Sequence, residues 1–258
     1  MASELRTRTI VGIGLIAMAL GALLAGGFLF WMLLAVAGVL MQGEWADLTG
    51  TPKEGRRMVM FAVSVPLAIL CPFAAGVSWF AFGLMMAAFF FVALVGRSIK
   101  RAAGVLYVCL PVAALLFLRG QDPNIHGLLL ATWALSLVWA TDIGAYFAGR
   151  SIGGPKLAPR VSPSKTWSGL GGGVLAALLT GFLLYRFCGL PIQLAAASGL
   201  LAVAAQLGDL FESAMKRRAG VKDSGALLPG HGGVMDRLDG VVTAAPLAAL
   251  LFLALASV

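Results

Sequence analysis

Residues 10–41 contain no charged side chain. A membrane-crossing helix needs about 20 apolar residues. The run is too long for one span and short for two generous ones. Gly26-Gly27 offers a turn near its middle, so helices are expected at about 10–25 and 28–43. Arg6 and Arg8 ahead of the run, with Ala17-Met18-Ala19 inside it, imitate a cleavable leader. Apolar sequence continues well past that point, so the run reads as membrane helices.

The rest of the chain repeats this pattern. Apolar runs are expected as spans at about 58–75, 77–95, 103–118, 127–148, 169–187, 191–211 and 238–256. The expected fold is an all-α polytopic membrane protein with about nine transmembrane helices. Its N-terminal membrane helices fill residues 1–130 in about five spans. A C-terminal catalytic membrane region fills residues 131–258 in about four, with cytoplasmic loops at 149–168 and 212–237. Composition agrees. Of the 258 residues, 60% are hydrophobic and 12% charged, against about 45–50% and about 25% in soluble domains. The mean hydropathy is +0.95. A soluble enzyme, a disordered chain and a secreted disulfide scaffold are all excluded. Cys71, Cys109 and Cys188 lack CxxC spacing and read as buried thiols.

Charge orients the spans. With nine helices and the N-terminus in the cytoplasm, all but Arg119 and Arg186 of the 19 lysines and arginines fall inside. The C-terminus is then expected outside. The net charge of +8 follows from this bias and from an anionic ligand or lipid surface, not from nucleic acid. Of the 11 acids, only Asp122 falls outside. Chemistry is expected on the cytoplasmic side.

Three segments concentrate polar residues. The first is the helix holding Asp142 and Tyr146, four apart on one face. It is either a polar helix–helix contact with interfacial aromatics or part of a site. The second is Ser162-Pro163-Ser164-Lys165-Thr166-Trp167-Ser168-Gly169, just before a helix whose start bears Gly171, Gly172 and Gly173. Free backbone N–H groups and Lys165 there suit a phosphate, although the Walker spacing is absent. The plainer reading is a capped helix with small packing residues. The third runs from Gln206 to Gly240. Asp209 and Glu212 are three apart, as are Asp236 and Asp239. Carboxylates among lysines and arginines suit a hard cation holding a polyphosphate. His231 is a ligand, a base, or simply a loop histidine between turn glycines.

The third segment resembles the signature of the phosphatidate cytidylyltransferases, or CDP-diacylglycerol synthases. It reads Ser213-Ala214-Met215-Lys216-Arg217, then Lys222-Asp223-Ser224-Gly225, then Pro229-Gly230-His231-Gly232-Gly233, then Asp236-Arg237-Leu238-Asp239. The Asp142 helix and the Ser162-to-Thr166 segment are also similar to that family. Residues 1–130 match in hydropathy alone. Ser168 departs from the pattern, since many relatives carry glutamate there.

The resemblance implies a cytidylyl transfer from CTP to phosphatidic acid, giving CDP-diacylglycerol and pyrophosphate. It implies dependence on Mg2+, with a second, monovalent cation such as K+ as a further option. It also implies a homodimer, and the compact chain points to a bacterial inner membrane. Asp209, Asp236, Asp239 and Lys222 are the expected catalytic residues. Asp209, Asp236 and Asp239, then Glu212 and Asp223, are the expected metal ligands. Substrate contacts are expected from Asp142, Tyr146, Ser162, Ser164, Lys165, Thr166, Lys216, Arg217, Lys222, His231 and Arg237. Two other readings stay open: a CTP-dependent lipid kinase or related lipid cytidylyltransferase, and an ion-coupled transporter of an anionic solute. No internal repeat favours the transporter.

Overall fold

The computed structural model of the chain describes residues 2–121, 126–228, 230 and 232–256. Among the described residues there are nine α-helices and one small hairpin. The helices are α1 (Ala2–Ala25), α2 (Gly27–Leu48), α3 (Lys53–Ile69), α4 (Trp79–Val95), α5 (Ile99–Arg119), α6 (His126–Ser151), α7 (Trp167–Cys188), α8 (Ile192–Arg218) and α9 (Met235–Ala256). Strands β1 (Lys156–Ala158) and β2 (Ser162–Thr166) pair antiparallel between α6 and α7, with Lys156 opposite Thr166. Six helices, α2 and α5 to α9, are long and apolar enough to cross a membrane. The architecture is that of a polytopic membrane protein.

Several ends differ from the sequence expectation, each for a local reason. Helix α8 continues to Arg218 instead of ending near residue 211. Glu212 and Lys216 pair one turn apart at 3.1 Å. Lys216, Arg217 and Arg218 fill the last turn, where the helix dipole favours cations. Helix α2 continues to Leu48, because Trp45 and Ala46 are buried and Glu44 finds partners. It ends where Gly50 takes φ +64°, a left-handed conformation natural to glycine. Part of the expected 149–168 loop is the hairpin. The three thiols are free, but only Cys109 is buried. Cys71 is half-buried and Cys188 is exposed.

Two close helix seams position the polar residues. Helices α6 and α7 meet through glycine. A Cβ on Gly144 would lie 2.6 Å from the Gly172 carbonyl oxygen, and one on Gly173 would lie 2.9 Å from that of Thr141. Small residues let membrane helices approach this closely. The α8–α9 seam is similar: a Cβ on Gly208 would lie 2.5 Å from the Asp239 carbonyl. Thr243 closes it by donating to the Ala204 carbonyl at 2.7 Å. Deeper in the bundle, fully buried Trp133 donates to Ser198 at 3.1 Å, so its indole N–H is satisfied.

Candidate active site

Hydrogen bonds and ion pairs gather one end of α2, α5, α8 and α9, and α8 joins this cluster to the hairpin. Lys216 on α8 is the first centre. Its Nζ lies 2.6 Å from Asp236 Oδ1 and 3.1 Å from Glu212 Oε1. All three side chains are largely buried, Glu212 almost completely. Tyr107 of α5 reaches Glu212 Oε2 at 3.5 Å. Asp236 Oδ2 accepts from the Ser224 N–H at 2.9 Å and the Gly233 N–H at 2.8 Å, and lies 3.0 Å from the Ser224 hydroxyl, whose one proton is shared between Asp236 and Glu44. Asp236 thus folds the loop before α9 back on itself.

Lys165 is the second centre. Strand β2 carries it to an ion pair with Asp209 Oδ2. Ser213 donates to the other Asp209 oxygen at 3.2 Å. Asp209 also feels the charges of Asp142 and Asp239. Asp239 Oδ1 accepts a local N–H, from Gly240 at 2.7 Å. Lys165 thus pairs with Asp209 and acts on Asp142, while the lysine acting on Asp239 is Lys216.

The hairpin is held at both ends. Arg217 donates to the Val161 carbonyl at 3.4 Å and to that of Val221 at 3.2 Å. Thr166 caps α7 by accepting from the Gly169 N–H at 3.0 Å. Ser168 gives its one hydroxyl proton to the Gly153 carbonyl. Thr166 is then the donor in its 3.0 Å bond with Ser168. Ser168 ties the loop after α6 to the start of α7.

The other expected residues are spread around these centres. Tyr146 faces outward and accepts from Arg150 at 2.8 Å, apart from the carboxylates. Ser162 and Ser164 lie on β2. Lys222, Asp223 and Arg237 are exposed. Asp223 adjoins Gly232, where an added Cβ would meet the Asp223 Cβ at 3.5 Å. His231 lies outside the described residues.

The sequence reading missed the contribution of the N-terminal half. Glu44 on α2 is 6% exposed. Its Oε1 accepts from the Val234 N–H at 2.8 Å, and its Oε2 from the Ser224 hydroxyl and the Met235 N–H, both at 2.8 Å. Next to it, Trp45 donates to the Lys100 carbonyl at 2.9 Å. The Trp45 ring sits 4.7 Å from Tyr107 and 6.3 Å from Phe211, centre to centre. The available signal was an acid closing an apolar helix, which is costly unless partnered.

The donors near Lys165 are carboxylate oxygens, suited to a hard cation. Among the described residues, no three His, Cys, Asp or Glu side chains converge into a closed metal cage. Magnesium is commonly held by one or two carboxylates plus substrate phosphates. Asp209 and Asp239 fit that pattern.

The sequence matches the model of the "Cytidylyltransferase family" over residues 6–255. It is 39% identical to the phosphatidate cytidylyltransferase of Brucella suis over 255 residues, covering 95% of this chain and 92% of that protein. It is 38% identical to that of Pseudomonas aeruginosa over 270 aligned positions, covering 97% and 98%. A shorter match, 46% over 149 residues, is to that of Haemophilus influenzae. With a family match over nearly its whole length and relatives of this similarity, the chain belongs to the cytidylyltransferase family, among the phosphatidate cytidylyltransferases.

Proposed function

We propose that the chain transfers the cytidylyl group of CTP to phosphatidic acid, giving CDP-diacylglycerol and pyrophosphate for phospholipid synthesis. The observation that carries this reading is the pair of lysine-centred carboxylate clusters on α8, α9 and β2, in a chain similar end to end to phosphatidate cytidylyltransferases.

The lipid phosphate is already a nucleophile. One of its oxygens attacks the α-phosphorus of CTP, and the bond from that phosphorus to the β-phosphate bridging oxygen breaks. Pyrophosphate leaves with the electron pair. Such chemistry asks the protein mainly for positioning and charge neutralisation. Exposed Lys222 and Arg237 are assigned to phosphate oxygens. Lys165 exchanges its ion pair with Asp209 for a phosphate contact. Ser162, Ser164 and Thr166, with the α7 N-terminus, are assigned to hydrogen bonds to the nucleotide. Asp142 and Tyr146 are assigned to its cytidine side.

Asp209 and Asp239 are the proposed holders of Mg2+, which when bound offsets the charge on the leaving pyrophosphate. Asp236 and Glu212, also expected as metal ligands, are assigned to holding Lys216. Asp223 accompanies Lys222 at the mouth, with Arg217 bracing the hairpin and His231 nearby in sequence. Leu207 and Phe211 on α8 and Trp139 and Ile143 on α6 expose apolar surface beside the acids. They suit acyl chains that remain in the bilayer. A bacterial inner membrane, a cytoplasmic N-terminus, a homodimer and a monovalent second cation complete the proposal.

Product analysis tests it. Incubation with CTP and phosphatidic acid should yield a lipid heavier by one cytidylyl group. Release of CDP with phosphorylation of a lipid alcohol would contradict the proposal.

A further inference from the structure

We propose that Glu44 is a positioning residue for the transfer step, anchoring both ends of the glycine-rich loop between Lys222 and Asp239. This rests on the transferase reading above and extends it to the N-terminal half of the chain.

The loop needs an anchor. Between Ser224 and Met235 it contains Gly225, Gly230, Gly232 and Gly233. Gly230 and Gly232 take φ of +74° and +79°, and glycine loses the most conformational freedom on ordering. Glu44 supplies the anchor from a helix about 180 residues away in sequence. One carboxylate binds the start of the loop at Ser224 and its end at Val234 and Met235. Its charge also faces the first N–H groups of α9, where the helix dipole favours an anion.

The neighbouring glycines make the approach possible. A Cβ on Gly225 would lie 2.9 Å from Glu44 Oε1, and one on Gly233 would lie 2.5 Å from Oε2. Ser224 joins the anchor to the site, because its hydroxyl lies 2.8 Å from Glu44 and 3.0 Å from Asp236. Asp236 in turn holds Lys216. The loop is thus pinned between a carboxylate of α2 and one of α9. Lys222 stands two residues before the pinned Ser224, and Asp239 one turn into the pinned helix.

Glutamine is the informative substitution. It keeps the size of Glu44 but turns one acceptor into a donor, which then faces a donor. Full-length wild type, E44Q and G225A are compared in detergent by pyrophosphate release and by hydrogen–deuterium exchange. The expected result for E44Q is a kcat about tenfold lower or less, with the KM for CTP changed less than about threefold. Amide exchange should rise in residues 224–235 and stay unchanged in α5 to α8. G225A should shift both readouts the same way. Wild-type kcat in E44Q, or unchanged loop exchange in both variants, overturns the proposal. So does a rise in exchange spread evenly over all helices in both variants. A wild-type protein that exchanges as expected but never releases pyrophosphate would instead overturn the transferase reading.

Discussion

Lys216 Nζ lies 2.6 Å from Asp236 Oδ1 across the α8–α9 seam, and the same ammonium lies 3.1 Å from Glu212 Oε1. One cation therefore compensates two carboxylates that water barely reaches. Breaking a buried pair leaves an uncompensated charge, which costs about 3–5 kcal/mol. Lys216→Met leaves two carboxylates unpaired, whereas Asp236→Asn removes one of them. Thermal unfolding in detergent should show K216M losing clearly more stability than D236N. Equal midpoints for the two variants and wild type would contradict the shared-cation account.

Asp209 pairs with Lys165 and accepts from Ser213, and Asp239 accepts from the Gly240 N–H; these are the two acids assigned to the metal. Removing one ligand of a catalytic ion should cost at least about 10²-fold in rate. Asp239→Asn should show that loss and should need more magnesium for half-maximal activity. Asp236→Asn should also lose activity but keep the wild-type magnesium requirement. An active D239N with an unchanged magnesium requirement would refute the metal assignment.

Gln42 is fully buried on α2, and among the described residues neither polar atom of its amide has a hydrogen-bond partner. An unsatisfied buried polar group costs about 1–3 kcal/mol. Gln42→Leu keeps similar volume and removes that cost. Its unfolding midpoint should rise, with activity unchanged. A lower midpoint would show that Gln42 has a partner.

The α6–α7 seam admits no side chain at Gly144 or Gly173. Gly144→Val should force the helices apart and cost about 1–3 kcal/mol. Because α6 carries Asp142 and α7 directly follows the strand that carries Lys165, activity should fall with stability. Gly171, which has open space around it, is the control, and Gly171→Ala should leave both unchanged.

The sequence made some of this legible and hid the rest. Apolar runs located the six helices long and apolar enough to cross a membrane among the described residues, because membrane helices must be apolar over a fixed length. The motif from Ser213 to Asp239 named Lys216, Asp236 and Asp239 before any fold was known. Helix ends were harder: hydropathy falls after residue 211, yet the Glu212–Lys216 pair carries α8 onward to Arg218. The hairpin was hidden because prolines and glycines mark a loop without saying that Lys156 pairs with Thr166. Glu44 was hidden for a different reason. Its partners lie 180 to 191 residues away, and no local pattern carries such a contact. Tyr107 joins Glu212 across a gap of 105 residues.

The most direct test of the central claim is pyrophosphate release by the purified full-length protein. CTP, phosphatidic acid and magnesium are supplied together, then each is withheld in turn. Release is expected only when all three are present. Release without phosphatidic acid, or none with all three and a folded protein, would contradict it.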